Sequence, residues 1–335
     1  MVQLTDAVRS GRFQRLLLVG MGCSAICGDV LKSFLASEQV PLDVQVVNDY
    51  HLEYYLTDAL LADPGTLVVI TSYSGSSEEP LIAYRHARSL TSNIVVWTAG
   101  GPLGRMAVQD GLSYVQWNLG DHDREYPLFH VAEFFSSSLN ILRALGVVSE
   151  PYADRLPDVS RFLLANRESN HAKELAVRLR DSRILFLGEP AITGSIVRIA
   201  RMYLNEIAMM PSSVNLLHEF THSEIASFAE LQDRHHILLL THPEAHPFER
   251  SRVERTVELL RECPSREAVK CTVIEMKGAT FLERAFWAMF FLNDVFGDLA
   301  AHYDRRSFQL ISRSSGNPWY NQDTIAAEVA LRPTG

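Results

Sequence analysis

The sequence predicts an α/β protein with two tandem halves, each built on a mostly parallel sheet flanked by helices. Short β-branched runs alternate with segments of helical spacing along both halves. Both halves also open alike, with a buried strand that leads into glycine and then into a helix of small residues: RLLLVGMGCSAICGDVL and RILFLGEPAITGSIVRIA. Strands that alternate with helices form parallel sheets covered on both faces.

The first half, residues 1–150, is predicted to be one domain. Its apolar, β-branched runs predict strands over residues 15–20, 42–48, 67–71, 93–98 and 112–117. Apolar residues at helical spacing predict helices over residues 24–35, 78–90 and 128–145, and the last of these closes the unit.

Residues 151–170 contain Pro151, Pro157 and several charged residues, which predicts a partly helical bridge. The second domain, residues 171–335, repeats the alternation. Strands are predicted over 183–188, 235–240 and 269–275, and helices over 191–207, 248–260 and 281–301. Ligands of open α/β sheets bind at the carboxyl ends of strands, where the strand order reverses, so we expect residues 20–24 to lie beside residues 72–77.

Composition narrows the class of function. A chain of 335 residues with 47% hydrophobic and 21% charged residues is typical of a globular protein with substantial cores. Its formal charge of −9 and its lack of clustered cations in the sequence argue against nucleic acid or an anionic membrane as a partner. The apolar stretch 16–26 is too short to span a bilayer, and no signal peptide is visible. The four cysteines form no CxxC pair, so we expect reduced thiols in a cytoplasmic protein.

The segment TLVVITSYSGSSEE predicts an anion site. Four serines surround Gly75 between a buried strand and a helix that begins at Glu78. Hydroxyl groups and unpaired amides at a helix N-terminus all donate, and the helix dipole favours negative charge there. A phosphate monoester fits these donors, and the absence of Lys and Arg distinguishes the loop from a nucleotide P-loop. The alternative is that the serines only form turns and an N-cap. GMGCSA lacks a full GxGxxG, so NAD is not expected.

Four segments in order carry a family resemblance. GMGCSAICGDVL, SYSGSSEE, LNEIAMMP and HEFTHSEI resemble the GMGGSAIGGD, SYSGNTEE, NENAKxP and PExNHNEI segments of bifunctional phosphoglucose/phosphomannose isomerases of the sugar isomerase (SIS) fold, over roughly residues 15–300. The resemblance implies two tandem SIS domains and a homodimer with its active site at the subunit interface. It also implies no metal or organic cofactor, and conversion of an aldose phosphate such as glucose 6-phosphate or mannose 6-phosphate to fructose 6-phosphate.

The same resemblance implies roles for individual residues. Glu206 matches the base that moves a proton between C1 and C2, and His222 matches the histidine that opens the pyranose ring, contributed by the neighbouring subunit. The phosphate would be bound by serines and the sugar bordered by the first glycine-rich turn, through Ser72, Ser74, Ser77, Gly22 and Ser24. Two alternatives stay open: Glu206 as a solvated residue at a helix end, and His222 as a neighbour of a helix cap at Ser223.

The sequence also departs from the family. Leu128 follows Pro127 where relatives carry an arginine, and no lysine follows Lys277 where an active-site lysine is expected. Isoleucine, alanine and methionine at 207–209 replace the usual Asn-Ala-Lys. Replacement cations or donors would come from Arg124, His130, Arg305, Arg306 or Arg313. These changes are compatible with an altered substrate or reaction, or with a sugar-phosphate binder without activity.

HEFTH is formally an HExxH motif, which on a helix binds zinc through two histidines with the glutamate as general base. This alternative predicts a hydrolase that uses His218, Glu219 and His222. The metzincin third ligand position is Phe228, and other third ligands would be Glu224, Glu230, His235, His236, His242 or His246. The motif coincides with the PExNHNE segment of the isomerases, so no metal is expected.

Overall fold

The structure is a computed structural model that describes residues 2–9, 12–117, 130–148, 151–190 and 192–305. The chain forms two units that divide between Arg155 and Leu156, and each unit has its own sheet. The predicted fold class, α/β with mostly parallel sheets flanked by helices, is confirmed. No helix of the described ranges is long and apolar enough to cross a membrane.

The described part of the first unit contains strands β1 (Val2–Gln3), β2 (Arg15–Gly20), β3 (Asp43–Val47), β4 (Thr66–Thr71), β5 (Ile94–Thr98) and β6 (Ser113–Gln116). Their order is β1-β6-β5-β4-β2-β3, and all neighbours are parallel except β1 and β6. The chain leaves β2 towards β3 and leaves β4 towards β5. The strand order therefore reverses between β2 and β4.

The helices of this unit are α1 (Asp6–Arg9), α2 (Cys23–Ser37), α3 (Asp58–Leu61), α4 (Glu78–Leu90), α5 (Gly101–Gln109) and α6 (Val131–Ala144). Short 3-10 helices span Leu52–Tyr54 and Tyr152–Arg155. One sheet face packs Leu17, Val19 and Ile70 against α4 and α5. α2 and α6 pack against each other through Phe34 and Phe135, whose rings are 5.5 Å apart. Burial of both faces explains why β4 is apolar between its two terminal threonines.

The second unit contains β7 (Arg183–Gly188), β8 (Ser212–Leu216), β9 (His235–Thr241) and β10 (Val269–Glu275), in the parallel order β10-β9-β7-β8. Its helices are α7 (Leu156–Ala165), α8 (Ser169–Leu179), α9 (Thr193–Ile207), α10 (Leu217–His222), α11 (Pro247–Glu262) and α12 (Phe281–His302), with a 3-10 helix over Glu224–Phe228. The buried α12 begins with a capping box between Thr280 and Glu283. Here the strand order reverses between β7 and β9.

Several elements differ from the sequence-based prediction. The bridge is largely helical, since α7 and the start of α8 occupy it. β8 and α5 were not predicted, because β8 is a half-exposed strand at the sheet edge with two serines and an asparagine, and α5 begins with GPLG. α6 begins at Val131, and Leu128 of the predicted helix lies outside the described residues.

Candidate functional site

The carboxyl ends of β2 and β4 lie side by side in the first unit, as the sequence predicts. Gly20 pairs with Thr71 in the parallel ladder. A Cβ atom on Gly20 would lie 2.9 Å from Cβ of Ser24 and 3.0 Å from the carbonyl oxygen of Thr71, so only glycine lets α2 start this close to β4. Gly22 precedes α2 with a φ of 53° and is exposed. Gly22 and Ser24 therefore belong to a turn that opens beside the serine loop.

The serine loop, residues 72–77, contains two pairs of hydroxyl groups. Ser72 is only 5% exposed, and its Oγ accepts from the amide of Gly75 at 3.2 Å and lies 3.4 Å from Oγ of Ser77. Ser74 and Ser76 are exposed, with their Oγ atoms 2.9 Å apart. Ser72 thus fixes the shape of the loop, while the other hydroxyls are available to a ligand. The sequence-based assignment did not include Ser76.

Two glycine-containing turns interlock and hold this loop. Gly75 has a φ of 67°, and a Cβ atom there would overlap the carbonyl oxygen of Gly100. Gly101 has a φ of 68°, and a Cβ atom there would overlap the carbonyl oxygen of Ser74. Oγ1 of Thr98 lies 3.2 Å from the carbonyl oxygen of Tyr73 and donates to it. Sequence reasoning missed Gly100 and Gly101, although their position directly after β5 was a visible signal.

The N-terminus of α4 completes the anion site. Ser77 is the N-cap residue, but its side chain makes no capping hydrogen bond. The alternative that a serine side chain caps α4 is therefore wrong, whereas serines do form the predicted turns, since Oγ of Ser72 and Oγ of Ser74 accept from the amides of Gly75 and Ser76. The amides of the first turn of α4 face no intrahelical acceptor. Tyr50 lies near this turn and is 41% exposed. The negative charge of Glu79, and to a smaller extent burial, raises the pKa of the Tyr50 hydroxyl. Tyr50 therefore stays protonated near neutral pH.

In the second unit, Glu206 is half-buried in the last turn of α9, beside the start of β8. Oδ1 of the adjacent Asn205 accepts from Oγ of Ser212 at 2.8 Å. His222 is exposed at the end of α10, which follows β8. Five residues of strand span roughly 16 Å. Glu206 thus precedes β8 and His222 follows it, at opposite ends of the strand and α10.

The capping alternative for His222 is wrong. Ser223 has no side-chain capping hydrogen bond, and the segment after it is a short 3-10 helix rather than an α-helix. The Ser223 hydroxyl instead lies 3.3 Å from the carbonyl oxygen of Glu219. The imidazole of His222 is thus positioned by the end of α10 and is open to solvent.

The HExxH histidines are not arranged as a metal site. Nε2 of His218 lies 2.6 Å from Oε1 and 2.8 Å from Oε2 of Glu249, which engages this imidazole in an ion pair or hydrogen bond. Glu219 is exposed. Within the described ranges, no group of three His, Cys, Asp or Glu side chains is arranged to hold a metal ion. The residues present therefore do not fit the zinc centre that this motif would require.

The turn after β7 differs from its counterpart after β2. Oε1 of Glu189 accepts from the amides of Ile192 and Thr193, the latter at 2.7 Å. Oγ1 of Thr193 accepts from the amide of Glu189 at 2.6 Å. The N-terminus of α9 is therefore occupied by a carboxylate of the protein itself, and α9 begins at Thr193 rather than at 191.

The sequence departures fall partly on described residues. Met209 has a φ of 52° just after α9, and His130 pairs with Glu133 at 2.8 Å. Arg305 follows α12 and is exposed. The predictions for Arg124, Pro127, Leu128, Arg306 and Arg313 lie outside the described residues.

Structural comparison identifies proteins of the same fold. The structure resembles that of a tagatose-6-phosphate ketose/aldose isomerase from Escherichia coli, with a TM-score of 0.63, 16% identity, and coverage of 88% of this chain and 83% of that chain. This likeness shows that the two proteins share a fold.

Sequence comparison identifies proteins that are similar to this chain. Residues 168–304 match the family model described as bacterial phospho-glucose isomerase C-terminal SIS domain. The chain is 27% identical to the bifunctional phosphoglucose/phosphomannose isomerase of Caldicellulosiruptor bescii, over 76% of this chain and 75% of the relative. It is 25% identical to the protein of that name from Aquifex aeolicus, over 85% and 86% of the two chains. The predicted resemblance is confirmed, since the chain is similar over most of its length to these bifunctional phosphoglucose/phosphomannose isomerases.

Proposed function

We propose that this chain is a sugar-phosphate isomerase that interconverts an aldose phosphate and a ketose phosphate through an enediol. The observation that carries the proposal is the serine loop at the reversal point between β2 and β4, where hydroxyls and helix amides converge without a basic side chain. The names of the two sequence relatives support a hexose 6-phosphate of the glucose or mannose type as substrate.

In this proposal the serine loop binds the phosphate group. Ser74, Ser76 and Ser77 donate hydroxyl protons to its oxygens, together with amides of the first turn of α4. Ser72 keeps the loop in shape from its buried position. Gly22 and Ser24 border the sugar. Because the donors are neutral and fixed by the interlocked glycines, the loop selects a dianionic ester by hydrogen-bond geometry rather than by net charge.

The carbon chemistry requires one base and one ring-opening group. His222, contributed by the partner subunit of a cytoplasmic homodimer, moves a proton between the ring oxygen and the C1 hydroxyl, which opens the pyranose. Glu206 then removes the proton from C2, the C–H electron pair forms the C1–C2 double bond, and the C1 carbonyl oxygen is protonated. Loss of the proton from the C2 hydroxyl forms the new carbonyl, and Glu206 returns its proton to C1.

Exchange of the C2 hydrogen tests this mechanism. In deuterated water, wild-type protein is expected to incorporate deuterium at C2 of glucose 6-phosphate or mannose 6-phosphate, followed by NMR. Glu206→Gln is expected to lower this exchange by about 10²–10⁴-fold, as loss of a general base does, without loss of ligand binding. Glu219→Gln is the matched control, because Glu219 is an exposed glutamate of the same unit and is expected to keep full exchange.

The outcomes separate the candidate functions. Wild-type protein that binds hexose 6-phosphates, measured as a shift in melting temperature, but exchanges no deuterium would contradict the isomerase and favour a non-catalytic sugar-phosphate binder. The specific observations that favour this second candidate are Leu128 in place of the family arginine and the absence of lysine after Lys277. Loss of exchange in Glu219→Gln as large as that in Glu206→Gln would contradict the assignment of Glu206 as the base.

A further inference from the structure

A cluster of cations lies at the amino edge of the sheet in the second unit, although the sequence shows no run of basic residues. The side chains come from the last turns of α8 and α11 and from the segments that lead into β9 and β10: Arg178, Arg261, Arg234, Arg266 and Lys270. They line a cleft of about 560 Å³. That volume is within the range of small-molecule sites in proteins. None of the residues assigned above to isomerisation lines this cleft.

Few negative charges oppose these cations. Glu267 is the one carboxylate among the described lining residues, and it lies 3.6 Å from Nζ of Lys270 and 4.0 Å from Nε of Arg266. Within the described part of the chain, Arg178, Arg234 and Arg261 form no ion pair. Two helix C-termini at this edge contribute roughly half a negative elementary charge each, so they offset only a minor part of five cations. The cleft therefore has a strongly positive potential in a chain of net negative charge.

The buried imidazole of His236 is affected by the same positive potential. His236 is 3% exposed and also lines the cleft, with Nε2 2.8 Å from Oγ1 of Thr272 and with no hydrogen bond of normal geometry at Nδ1 among the described residues. Burial first and then the charges of nearby cations, Arg178 foremost, together lower the pKa of His236 to about 4, although a backbone hydrogen bond at Arg178 acts in the opposite direction. The imidazole is therefore neutral near pH 7 and adds no charge to the cleft.

The lining also restricts the kind of anion. No Phe, Tyr or Trp is among the described lining residues, so there is no platform on which a nucleotide base could stack. Arginine side chains bind phosphate oxygens in a bidentate manner. We propose that this cleft binds a compact polyanion, a small metabolite with at least two phosphate groups and no aromatic base.

Isothermal titration with pyrophosphate tests the proposal, in a Ser74→Ala/Ser77→Ala background that removes the serine loop as a competing site. Pyrophosphate is expected to bind more tightly than inorganic phosphate, and its affinity is expected to fall as salt rises. Arg178→Gln/Arg261→Gln is expected to weaken binding by about tenfold or more, since charge-assisted hydrogen bonds are lost. Titration with citrate distinguishes a phosphate site from a general polyanion site, and citrate binding as tight as that of pyrophosphate would overturn the phosphate assignment.

Lys173→Gln/Arg255→Gln is the matched control. It removes two exposed cations from the same two helices, outside the cleft, and is expected to leave the affinity for pyrophosphate unchanged. Arg178→Lys/Arg261→Lys keeps the positive charge at both helix ends but removes the guanidinium groups. It therefore separates a folding defect caused by loss of charge from loss of the bidentate contacts to the ligand. The proposal would be overturned if Arg178→Gln/Arg261→Gln and Lys173→Gln/Arg255→Gln weakened pyrophosphate binding equally. It would also be overturned if protein with an intact cleft bound no pyrophosphate. In either case the only role left for Arg178 and Arg261 would be to compensate the negative charge at the helix C-termini.

Discussion

β2 and β7 each lead through a turn into a helix, yet the two turns differ in whether a carboxylate of the chain binds the first helix amides. After β2, Gly22 is exposed and the first turn of α2 has no acidic residue. After β7, the carboxylate of Glu189 already accepts from the amides at the start of α9. A helix N-terminus attracts an anion in both places, but in the second unit the protein supplies that anion itself. The comparison teaches that the helix amides of such a turn stay open only where no side-chain carboxylate of the chain accepts from them.

Gly75→Ala is expected to have the largest effect, because it would break the ligand-competent side of the comparison. The added methyl group collides with the carbonyl oxygen of Gly100 and must adopt a φ of 67°. Left-handed backbone and overpacking together cost roughly 2–5 kcal/mol, so we expect faster hydrogen exchange in β4 and α4 and loss of sugar-phosphate binding.

Gly146→Ala is the control for Gly75→Ala. Gly146 has a nearly equal φ of 68°, but a Cβ atom there would have no neighbour within 4 Å. Its cost is limited to the backbone term, roughly 1–2 kcal/mol, and ligand binding should be unchanged. Equal effects of the two substitutions would show that the interlock of the turns does not matter.

The second unit is also expected to be the more sensitive to acid. The folded-state pKa of His236 is lowered to about 4, mainly by burial, from an ordinary value of 6.5. A base with a lowered pKa stabilises the fold fully above pH 6.5, and this contribution is lost as the pH falls towards 4. The loss is at most about 3 kcal/mol for a shift of this size.

Urea unfolding between pH 7 and pH 4 measures this effect in wild type and in His236→Gln. The variant is expected to lose less stability over this range, because it has no imidazole to protonate. His235→Gln is the matched control. The imidazole of His235 is next to His236 in the sequence, but it is partly exposed and its Nδ1 donates to the carbonyl oxygen of Asp233. A variant at 236 with the same pH dependence as wild type would contradict the prediction.

The smallest predicted effects extend the comparison to the start of α4, where Ser77 is the N-cap residue. Glu189→Gln is expected to reduce the free energy of unfolding by about 1–2 kcal/mol, because charged capping hydrogen bonds are lost. Ser77→Ala is expected to cost less than about 0.5 kcal/mol, because its hydroxyl caps nothing, yet it should weaken sugar-phosphate binding several-fold. Unfolding and ligand titrations of both variants give the result, and a stability loss in Ser77→Ala as large as that in Glu189→Gln would remove the distinction.

Sequence reasoning predicted most of the fold because buried parallel strands and amphipathic helices leave clear periodic patterns. The spans of β2, α4, β7 and β10 agree with the structure. It missed β8, whose polar residues suit a sheet edge rather than a buried strand. The adjacency of the first glycine turn to the serine loop followed from a topological rule and holds in the register of Gly20 with Thr71.

Other parts of the site depend on contacts between distant segments and were not predictable. The self-capping by Glu189 depends on a side-chain rotamer, and the interlock of Gly75 with Gly100 depends on two loops that meet in space. The cation cleft joins residues from 178 to 270, so no local run of charge indicates it. The roles of Glu206 and His222 came from the family resemblance alone and stay predictions.

The interlock of the turns at Gly75 and Gly101 has an evolutionary consequence. Each backbone occupies the space that a side chain on the other would need, so a single substitution at either position has no compensating partner substitution nearby. Replacement would require both loops to be redrawn together, including the Thr98 hydroxyl that ties them. Descendants of this chain are therefore expected to keep both glycines or to lose them jointly, with a change of ligand.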